Sequence, residues 1–156
     1  MSVETPTNIH GLIEFDSGAT ITISTSWDVW AHRHGEMELY GSDGSMFLPD
    51  PNFFGGVVER AGSDGVIAPV EPWDHPFQAP DSQIDQANYR AAGLADMAAA
   101  ILEDRPHRCG ADVAAHVVDL MTAILRSGET GEFVDLSTTC DRPAPLVPDD
   151  ARRLLA

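Results

Sequence analysis

Basic side chains are scarce in this chain, and lysine does not occur in it at all. The 9 Lys+Arg residues stand against 25 Asp+Glu residues, which gives a formal net charge of -16. A surface of this sign repels phosphate backbones and anionic lipid headgroups. Nucleic acids and membranes are therefore not expected among its partners.

Cysteines and long apolar runs are also few. Cys109 and Cys140 lie far apart and belong to no C-x-x-C or histidine-rich ligand pattern, so no metal site is predicted. A reduced, cytoplasmic setting is the expectation, and a disulfide between the two cysteines is the alternative. No apolar run approaches the roughly 20 residues of a membrane span. The start of the chain, up to Phe15, shows no export signal.

Alternating side chains predict β-hairpins in the first half of the sequence. Turn residues around Gly18, Gly44 and Gly65 separate segments whose apolar and β-branched residues recur with period two. The third of these hairpins is the weakest, and one further strand is predicted after the helices. In chain order, the predicted strands are 9–15, 20–26, 36–41, 45–48, 57–60, 66–70 and 132–136.

Two amphipathic helices are predicted in the second half. Apolar residues recur at i, i+3, i+4 and i+7 over 94–102 and again over 113–125, so each helix is expected to bury one apolar stripe. Arg105-Pro106 ends the first helix, because the residue before a proline is disfavoured in the α region. Gly128 is the predicted C-terminal cap of the second.

Strands followed by two helices and one strand predict an α+β domain, in which the helices cover one face of a largely antiparallel open β-sheet. The domain is expected to span residues 1–147, with a proline-rich surface loop at 71–86 and an irregular C-terminal tail at 148–156. No helix remains for the other sheet face, where residues such as Leu12 and Trp27 predict partly apolar character. That face is expected to meet a partner.

Short motifs follow one another in a recognisable order along residues 3–147. They are ETPTN (4–8), GLIEFDSGA (11–19), TSWD (25–28), LYGSDGS (39–45), GLADMA (93–98), RPHR (105–108), AHVVDLM (115–121) and CDRPAPL (140–146). Together they resemble the C-terminal domain of the glucose-fructose oxidoreductase, inositol dehydrogenase and MocA family (Gfo/Idh/MocA).

The resemblance implies an NAD- or NADP-dependent sugar or polyol oxidoreductase, in which an N-terminal Rossmann domain binds the cofactor and the open sheet pairs subunits. This sequence has no G-x-G-x-x-G turn and neither of the family's Glu-Lys-Pro and Asp-x-x-x-His motifs. No catalytic or cofactor-binding residue is therefore predicted in it. The expected function is that of a C-terminal substrate-side and dimerisation domain, not catalytically competent alone, with a second copy and the missing Rossmann domain as partners.

A stand-alone, non-enzymatic binding or scaffold protein, which pairs with itself or with a full-length relative, is the alternative. The two hypotheses differ in what the reading frame encodes ahead of Ser2. A strand, a glycine-rich turn and a Glu-Lys-Pro motif there favour the enzyme domain, and a true start at Met1 favours the scaffold.

Aromatic and polar side chains gather between Trp27 and His34, where one predicted strand ends and the next begins. A sugar pocket uses this mixture, because aromatic faces cover the ring and polar groups bind its hydroxyls; the alternative is a loop of packed tryptophans and solvated histidines. Tyr89 and Arg90, just before the first helix, are a second candidate for substrate or subunit contact, against ordinary capping and loop packing. The candidate substrate-binding residues are Trp27, Asp28, Trp30, His32, Arg33, Tyr89 and Arg90.

The other histidine patterns favour structural roles. His32 and His34 form an H-x-H pair, but no further ligand accompanies them, so a metal site is not predicted. His116 lies beside the apolar stripe of the second helix, and a packed or capping histidine is favoured there, as for His107, over a general base.

Overall fold

A computed structural model describes residues 3–79 and 87–156 of the chain. Contacts divide the chain into a first unit, Met1–His34 with Met121–Asp135, and a second unit, Gly35–Leu120 with Leu136–Ala156. The strands are β1 (Asn8–Glu14), β2 (Thr20–Ser26), β3 (Met37–Gly41), β4 (Gly44–Leu48), β5 (Glu59–Ala61) and β6 (Ile67–Pro69). The helices are α1 (Ala92–Glu103), α2 (Ala111–Thr130) and α3 (Pro148–Leu154), with a short 3₁₀ helix at Pro76–Gln78.

The first unit contains the predicted first hairpin, in which β1 and β2 pair antiparallel from Asn8 with Ser26 to Glu14 with Thr20. This register places the isoleucines of both strands on one face, and side chains such as His10 and Ser24 on the other. On the isoleucine face a Cβ at Gly11 would lie 3.6 Å from Cγ2 of Ile124 in α2. The apolar face of this hairpin therefore meets the end of α2, and the opposite face is polar apart from Leu12.

The second unit contains a separate four-stranded antiparallel sheet in the order β3-β4-β5-β6. Gly44, at the β3–β4 turn, has φ 141°, and a Cβ there would lie 2.2 Å from the carbonyl oxygen of Ala61, so only glycine fits. The second and third predicted hairpins are confirmed, as is the α+β class with antiparallel sheets. The strands divide between two sheets of two and four strands instead of joining in one.

The prediction of a last strand at Glu132–Leu136 is wrong, because nearby backbone groups bond to side chains of α2 rather than to another strand. Ser127 Oγ donates to the carbonyl of Glu132 at 2.7 Å, and the N–H of Thr138 donates to Asp119 at 3.0 Å. The predicted cap at Gly128 is also misplaced. Gly131 caps α2 instead, with φ 73° and its N–H 2.8 Å from the carbonyl of Ser127.

Helix α1 does not bury the predicted apolar stripe. Leu94, Ile101 and Leu102 are 71%, 73% and 88% exposed, whereas Asp96 and Ala100 are buried. The face of α1 that packs does so against α3. The small side chain of Ala100 permits a close approach between helices, and Asp96 is the acceptor of the ion pairs described below.

The prediction of an irregular tail after residue 147 is also wrong, because Pro148–Leu154 is helical. Pro148 occupies the first turn, where its missing N–H costs nothing. Two acidic residues follow in the first turn and two arginines in the last, which matches the helix dipole at both ends. A proline that normally interrupts structure thus starts a helix here.

A buried carboxylate connects α1 to the segments that follow it. Asp96 accepts from Arg105 Nη2 at 3.1 Å, from the Arg108 backbone N–H at 2.8 Å and from Arg108 Nη1 at 2.5 Å. Arg108 also donates to the carbonyl of Ala144 at 3.2 Å and to the carboxylate of Asp150 at 2.5 Å. We call this set the Asp96 clamp. Burial alone would raise the pKa of Asp96, but the two arginines and the Arg108 N–H together lower it.

The chain between β4 and β5 is held by a backbone pair. Phe54 and Ala87 exchange N–H···O bonds of 2.9 and 2.8 Å. Gly55 has φ 75°, and a Cβ on it would lie 3.1 Å from Cα and O of Gln78, so this loop and the 3₁₀ helix approach closely at a glycine. Of the loop predicted at 71–86, residues 80–86 lie outside the described residues. None of the described helices combines the length and apolarity needed to cross a bilayer.

We expect Asp96→Asn to lower the free energy of unfolding by about 3 kcal/mol near neutral pH, because it leaves two arginines without their shared buried charge. The folded-state pKa of Asp96 is lowered, so its stabilising effect is present above the unfolded carboxyl pKa of about 3.9 and is lost as the pH falls through the folded value. Denaturant unfolding followed by circular dichroism should show the gap between wild type and variant closing in acid. Asp74→Asn, which removes an exposed pair with Arg152 outside the helices, should change stability by less than about 0.5 kcal/mol. A gap independent of pH would contradict the role of the charge.

We expect Gly55→Ala to destabilise the second unit by about 1 kcal/mol more than Gly65→Ala in the same unfolding assay. Both glycines have positive φ, 75° and 71°, so both substitutions carry the same backbone strain. Only Gly55 has backbone atoms in the way of a Cβ, since nothing lies within 4 Å at Gly65. Equal losses for the two variants would show that the approach to Gln78 is unimportant.

Candidate functional site

The candidate segment from Trp27 to His34 begins where β2 ends in the first unit. The Trp27 N–H donates to the carbonyl of Thr7 at 2.9 Å. The carboxylate of Asp28 accepts from the Thr7 hydroxyl and from Asn8 Nδ2, and the Asp28 N–H donates to Ser26 Oγ at 3.0 Å. These bonds fix the start of the segment to β1 and occupy one carboxylate oxygen of Asp28.

The aromatic side chains of this segment are open to solvent. Trp27 and Trp30 are 90% and 104% exposed. The rings of His32 and His34 are stacked with centroids 6.3 Å apart, and Arg33 between them is exposed. Exposed indole faces beside an anchored carboxylate can stack on a sugar ring and bind its hydroxyls. These side chains do not line the cleft described below.

The other two candidates, Tyr89 and Arg90, lie in the second unit and have different surroundings. The Tyr89 ring stacks on Phe77 with centroids 4.6 Å apart, and its hydroxyl lies 3.4 Å from the carbonyl of Pro76. Arg90 donates to Asn52 Oδ1 at 2.9 Å and lies over the ring of Phe53. Tyr89 is thus part of an aromatic cluster, whereas Arg90 is turned to a neighbouring loop.

One concave site of the described residues was not predicted from the sequence. It is a cleft of about 760 Å³ in the second unit, lined by Phe54 to Val58, Pro69 to Trp73, His75, Phe77, Gln78 and Leu146. We call it the aromatic cleft. The sequence does contain a signal for it: Trp73, His75 and Phe77 alternate in a segment that is otherwise rich in proline and acidic residues.

Aromatic contacts build one wall of this cleft. The rings of Trp73 and His75 have centroids 5.1 Å apart, and His75 and Phe77 meet edge to face at 5.6 Å. Phe54 meets Phe77 edge to face at 5.6 Å. Phe77 is only 3% exposed, whereas Trp73 is 59% exposed at the mouth. The wall thus runs from a buried phenylalanine to an open indole.

Both nitrogens of His75 are occupied by backbone groups. Nδ1 accepts from the Phe77 N–H at 3.2 Å, and Nε2 lies 3.0 Å from the carbonyl oxygen of Leu146. A carbonyl only accepts, so Nε2 carries the proton and the ring is the neutral Nε2–H tautomer. His75 therefore offers the cleft an aromatic edge and no free polar atom.

The remaining histidines have structural surroundings or no assigned contact. His116 Nδ1 lies 3.0 Å from the Thr138 hydroxyl, which donates to Asp119 at 2.9 Å. This bond from Thr138, opposed by partial burial and joined by bonds from Ser137 and two backbone N–H groups, lowers the pKa of Asp119. The cluster holds the chain after α2 against the helix. His107 Nδ1 is buried without a hydrogen bond to any atom that the structure describes.

Within residues 3–79 and 87–156, no three His, Cys, Asp or Glu side chains are grouped so that they could hold a metal ion. Cys109 and Cys140 are both free thiols. The seven candidate residues divide between the units, with Trp27, Asp28, Trp30, His32 and Arg33 in the first and Tyr89 and Arg90 in the second.

Comparison with known proteins gives one family match. No curated protein and no solved structure matches the chain. The model of the GFO/IDH/MocA C-terminal domain matches residues 2–47, which include β1 to β3 and most of β4. This match confirms the resemblance that the motifs predict over that part of the sequence. Residues 2–47 are thus similar to a GFO/IDH/MocA C-terminal domain, and the α+β fold of the chain is consistent with such a domain.

Proposed function

We propose that this chain serves as the C-terminal, substrate-side and dimerisation domain of an NAD- or NADP-dependent sugar or polyol oxidoreductase of the cytoplasm. The observation that carries the proposal is the family match over residues 2–47. In this role the chain supplies neither the cofactor fold nor the proton-transferring groups, which belong to an N-terminal Rossmann domain and its adjoining motifs. Hydride transfer takes place only when a nicotinamide bound by that domain meets the substrate.

Exposed apolar side chains on the four-stranded sheet support subunit pairing. The β3–β4 register puts Met37, Leu39, Met46 and Leu48 on one face. Met37 and Leu39 are 41% and 51% exposed, and β3 is an edge strand of its sheet. An apolar face next to an open edge favours association, because it offers both surface to bury and unpaired backbone groups. We assign this face to the pairing of two copies.

The apolar stripe of α1 supports a second contact, with the Rossmann domain. Leu94, Ile101 and Leu102 are each more than two-thirds exposed. Burial of a leucine or isoleucine contributes about 1.5–3 kcal/mol, so a helix that presents three of them to water gains when another domain covers them. The Rossmann domain would thus bind the apolar stripe of α1, and the second copy of the chain would bind the apolar face of β3 and β4.

In the proposed substrate site, the Trp27–Arg33 segment supplies aromatic faces and hydrogen-bonding groups to a sugar or polyol. Asp28 is held in place by Thr7 and Asn8, which is the kind of pre-positioning that recognition of a hydroxyl requires. Trp27 and Trp30 give the stacking surface, and Tyr89 and Arg90 remain candidates on the second unit. The oxidising group and the proton acceptor come from the partner domain.

We expect Leu39→Glu to raise the dissociation constant of self-association at least about tenfold, because it puts a charge into the proposed apolar interface. Sedimentation velocity over a concentration series measures the effect. Val66→Glu is the matched control, since Val66 is 62% exposed but lies outside the strands, and it should leave association unchanged. Circular dichroism checks that both variants fold. A wild-type chain that stays monomeric at the highest concentration would contradict the pairing role.

A further inference from the structure

The aromatic cleft differs in chemistry from a site for sugars or polyols. Its walls are built mainly from apolar and aromatic side chains, among them Val57, Val58, Val70 and Trp73. A polyol site needs several hydrogen-bonding groups for the hydroxyls. The His75 ring is already bonded to backbone at both nitrogens, which leaves Glu71, Gln78 and the indole N–H of Trp73 as the polar side-chain groups of the lining.

Glu71 gives the cleft a single charged side chain. It is exposed, and it forms no ion pair with any residue of the described ranges. The net charge of -16 strengthens the negative potential around it. Trp73, two residues further on, offers the aromatic face that attracts cations most strongly.

We propose that the aromatic cleft binds an organic cation, a ligand with an apolar or aromatic body and an amine at one end. The body of the ligand packs against Phe54, Phe77 and Val70, which all line the cleft. The ammonium group lies at the mouth, between the Glu71 carboxylate and the Trp73 indole. This arrangement needs no movement of His75 and no residue from outside the second unit.

The fixed geometry of the wall supports a pre-formed site. Phe77 is buried, and its neighbours Phe54 and Tyr89 meet each other edge to face at 5.8 Å. The bond from His75 Nε2 to the carbonyl of Leu146 joins the wall to the segment before α3. A cleft whose walls are already bonded loses little conformational entropy when it takes up a ligand.

Calorimetric titration of the whole chain with three ligands of the same body tests the proposal: phenylbutylamine, phenylbutanol and phenylbutyrate. We expect saturable binding of the amine, weaker binding of the alcohol and weakest binding of the acid. Glu71→Gln should weaken the amine about threefold to tenfold, because it removes one attractive charge at the surface, and should change the alcohol by less than about twofold. Myo-inositol should not compete with the amine at the cleft.

Matched variants separate the cleft from general charge and aromatic effects. Glu59→Gln removes an exposed carboxylate of β5 that does not line the cleft, and it should leave amine binding unchanged. Trp73→Leu should weaken the amine more than the alcohol, because it removes the cation–π contact, whereas Trp30→Leu in the first unit should weaken neither. The proposal is overturned if none of the three ligands binds saturably, if the acid binds as well as the amine, or if Glu71→Gln binds the amine like wild type.

This test is independent of the proposed enzyme domain. A wild-type chain that does not self-associate would contradict the pairing role but would not affect the proposed cation site. Conversely, binding of the acid in preference to the amine would remove the cation site and leave the family match intact.

Discussion

The Asp96 clamp is the interaction on which the second unit depends. One buried carboxylate accepts from Arg105 and Arg108, and Arg108 reaches on to the carbonyl of Ala144 and to Asp150. Two segments that are far apart in sequence, α1 and the chain leading into α3, are thereby fixed by a single arginine. Because breaking such a buried pair leaves an uncompensated charge, the clamp is also sensitive to the loss of any member.

The clamp has a consequence for the aromatic cleft. It holds the segment that contains Leu146, and the carbonyl of Leu146 accepts the proton of His75 Nε2. His75 in turn caps the 3₁₀ helix that carries Phe77, through Nδ1. The Asp96 clamp therefore helps to orient the aromatic wall of the cleft through the two hydrogen bonds of His75, although no residue of the clamp lines the cleft.

Local patterns predicted the hairpins well, because strand alternation and turn glycines are properties of a few neighbouring residues. Gly18, Gly44 and Gly65 each lie at a turn and have positive φ, and the strands around them form as predicted. The α+β class followed from the same signals. The two predicted helices start about two residues from the starts of α1 and α2, since periodicity is also local. The C-terminal cap of α2 lies at Gly131 instead of Gly128, and the sequence did not predict α3.

Tertiary packing was harder to predict from the sequence than the local elements were. The apolar stripe of α1 predicted burial of Ile101, yet Asp96 and Ala100 are buried instead. Asp96 is buried where it meets Arg108, and the spacing of residues within α1 does not show where Arg108 lies. The strand predicted at 132–136 has β-like residues, but side chains of α2 take its neighbouring backbone groups. Pro148 predicts an irregular tail because proline interrupts most regular structure, but in the first turn of α3 it starts a helix.

The candidate site was predictable only in part. Aromatic and charged residues near Trp27 stand out by composition, but the sequence gives no measure of their exposure, and it does not show that Tyr89 stacks on Phe77. The aromatic cleft is lined by residues that lie as far apart in the sequence as Phe54 and Leu146. No local sequence pattern shows that such distant residues meet. The recognisable element of the cleft, the alternation of Trp73, His75 and Phe77, lies in a segment whose prolines predict a loop.

We propose that this chain completes an oxidoreductase without supplying its cofactor site. The direct measurement is NADH or NADPH formation with a panel of sugars and polyols, by the chain alone and by the chain fused behind a family Rossmann domain that carries the Glu-Lys-Pro and Asp-x-x-x-His motifs. We expect no turnover and no nucleotide binding by the chain alone, and turnover of at least one polyol or sugar by the fusion. Saturable nucleotide binding or turnover by the chain alone would contradict the proposal, as would a fusion that binds the nucleotide and oxidises nothing in the panel.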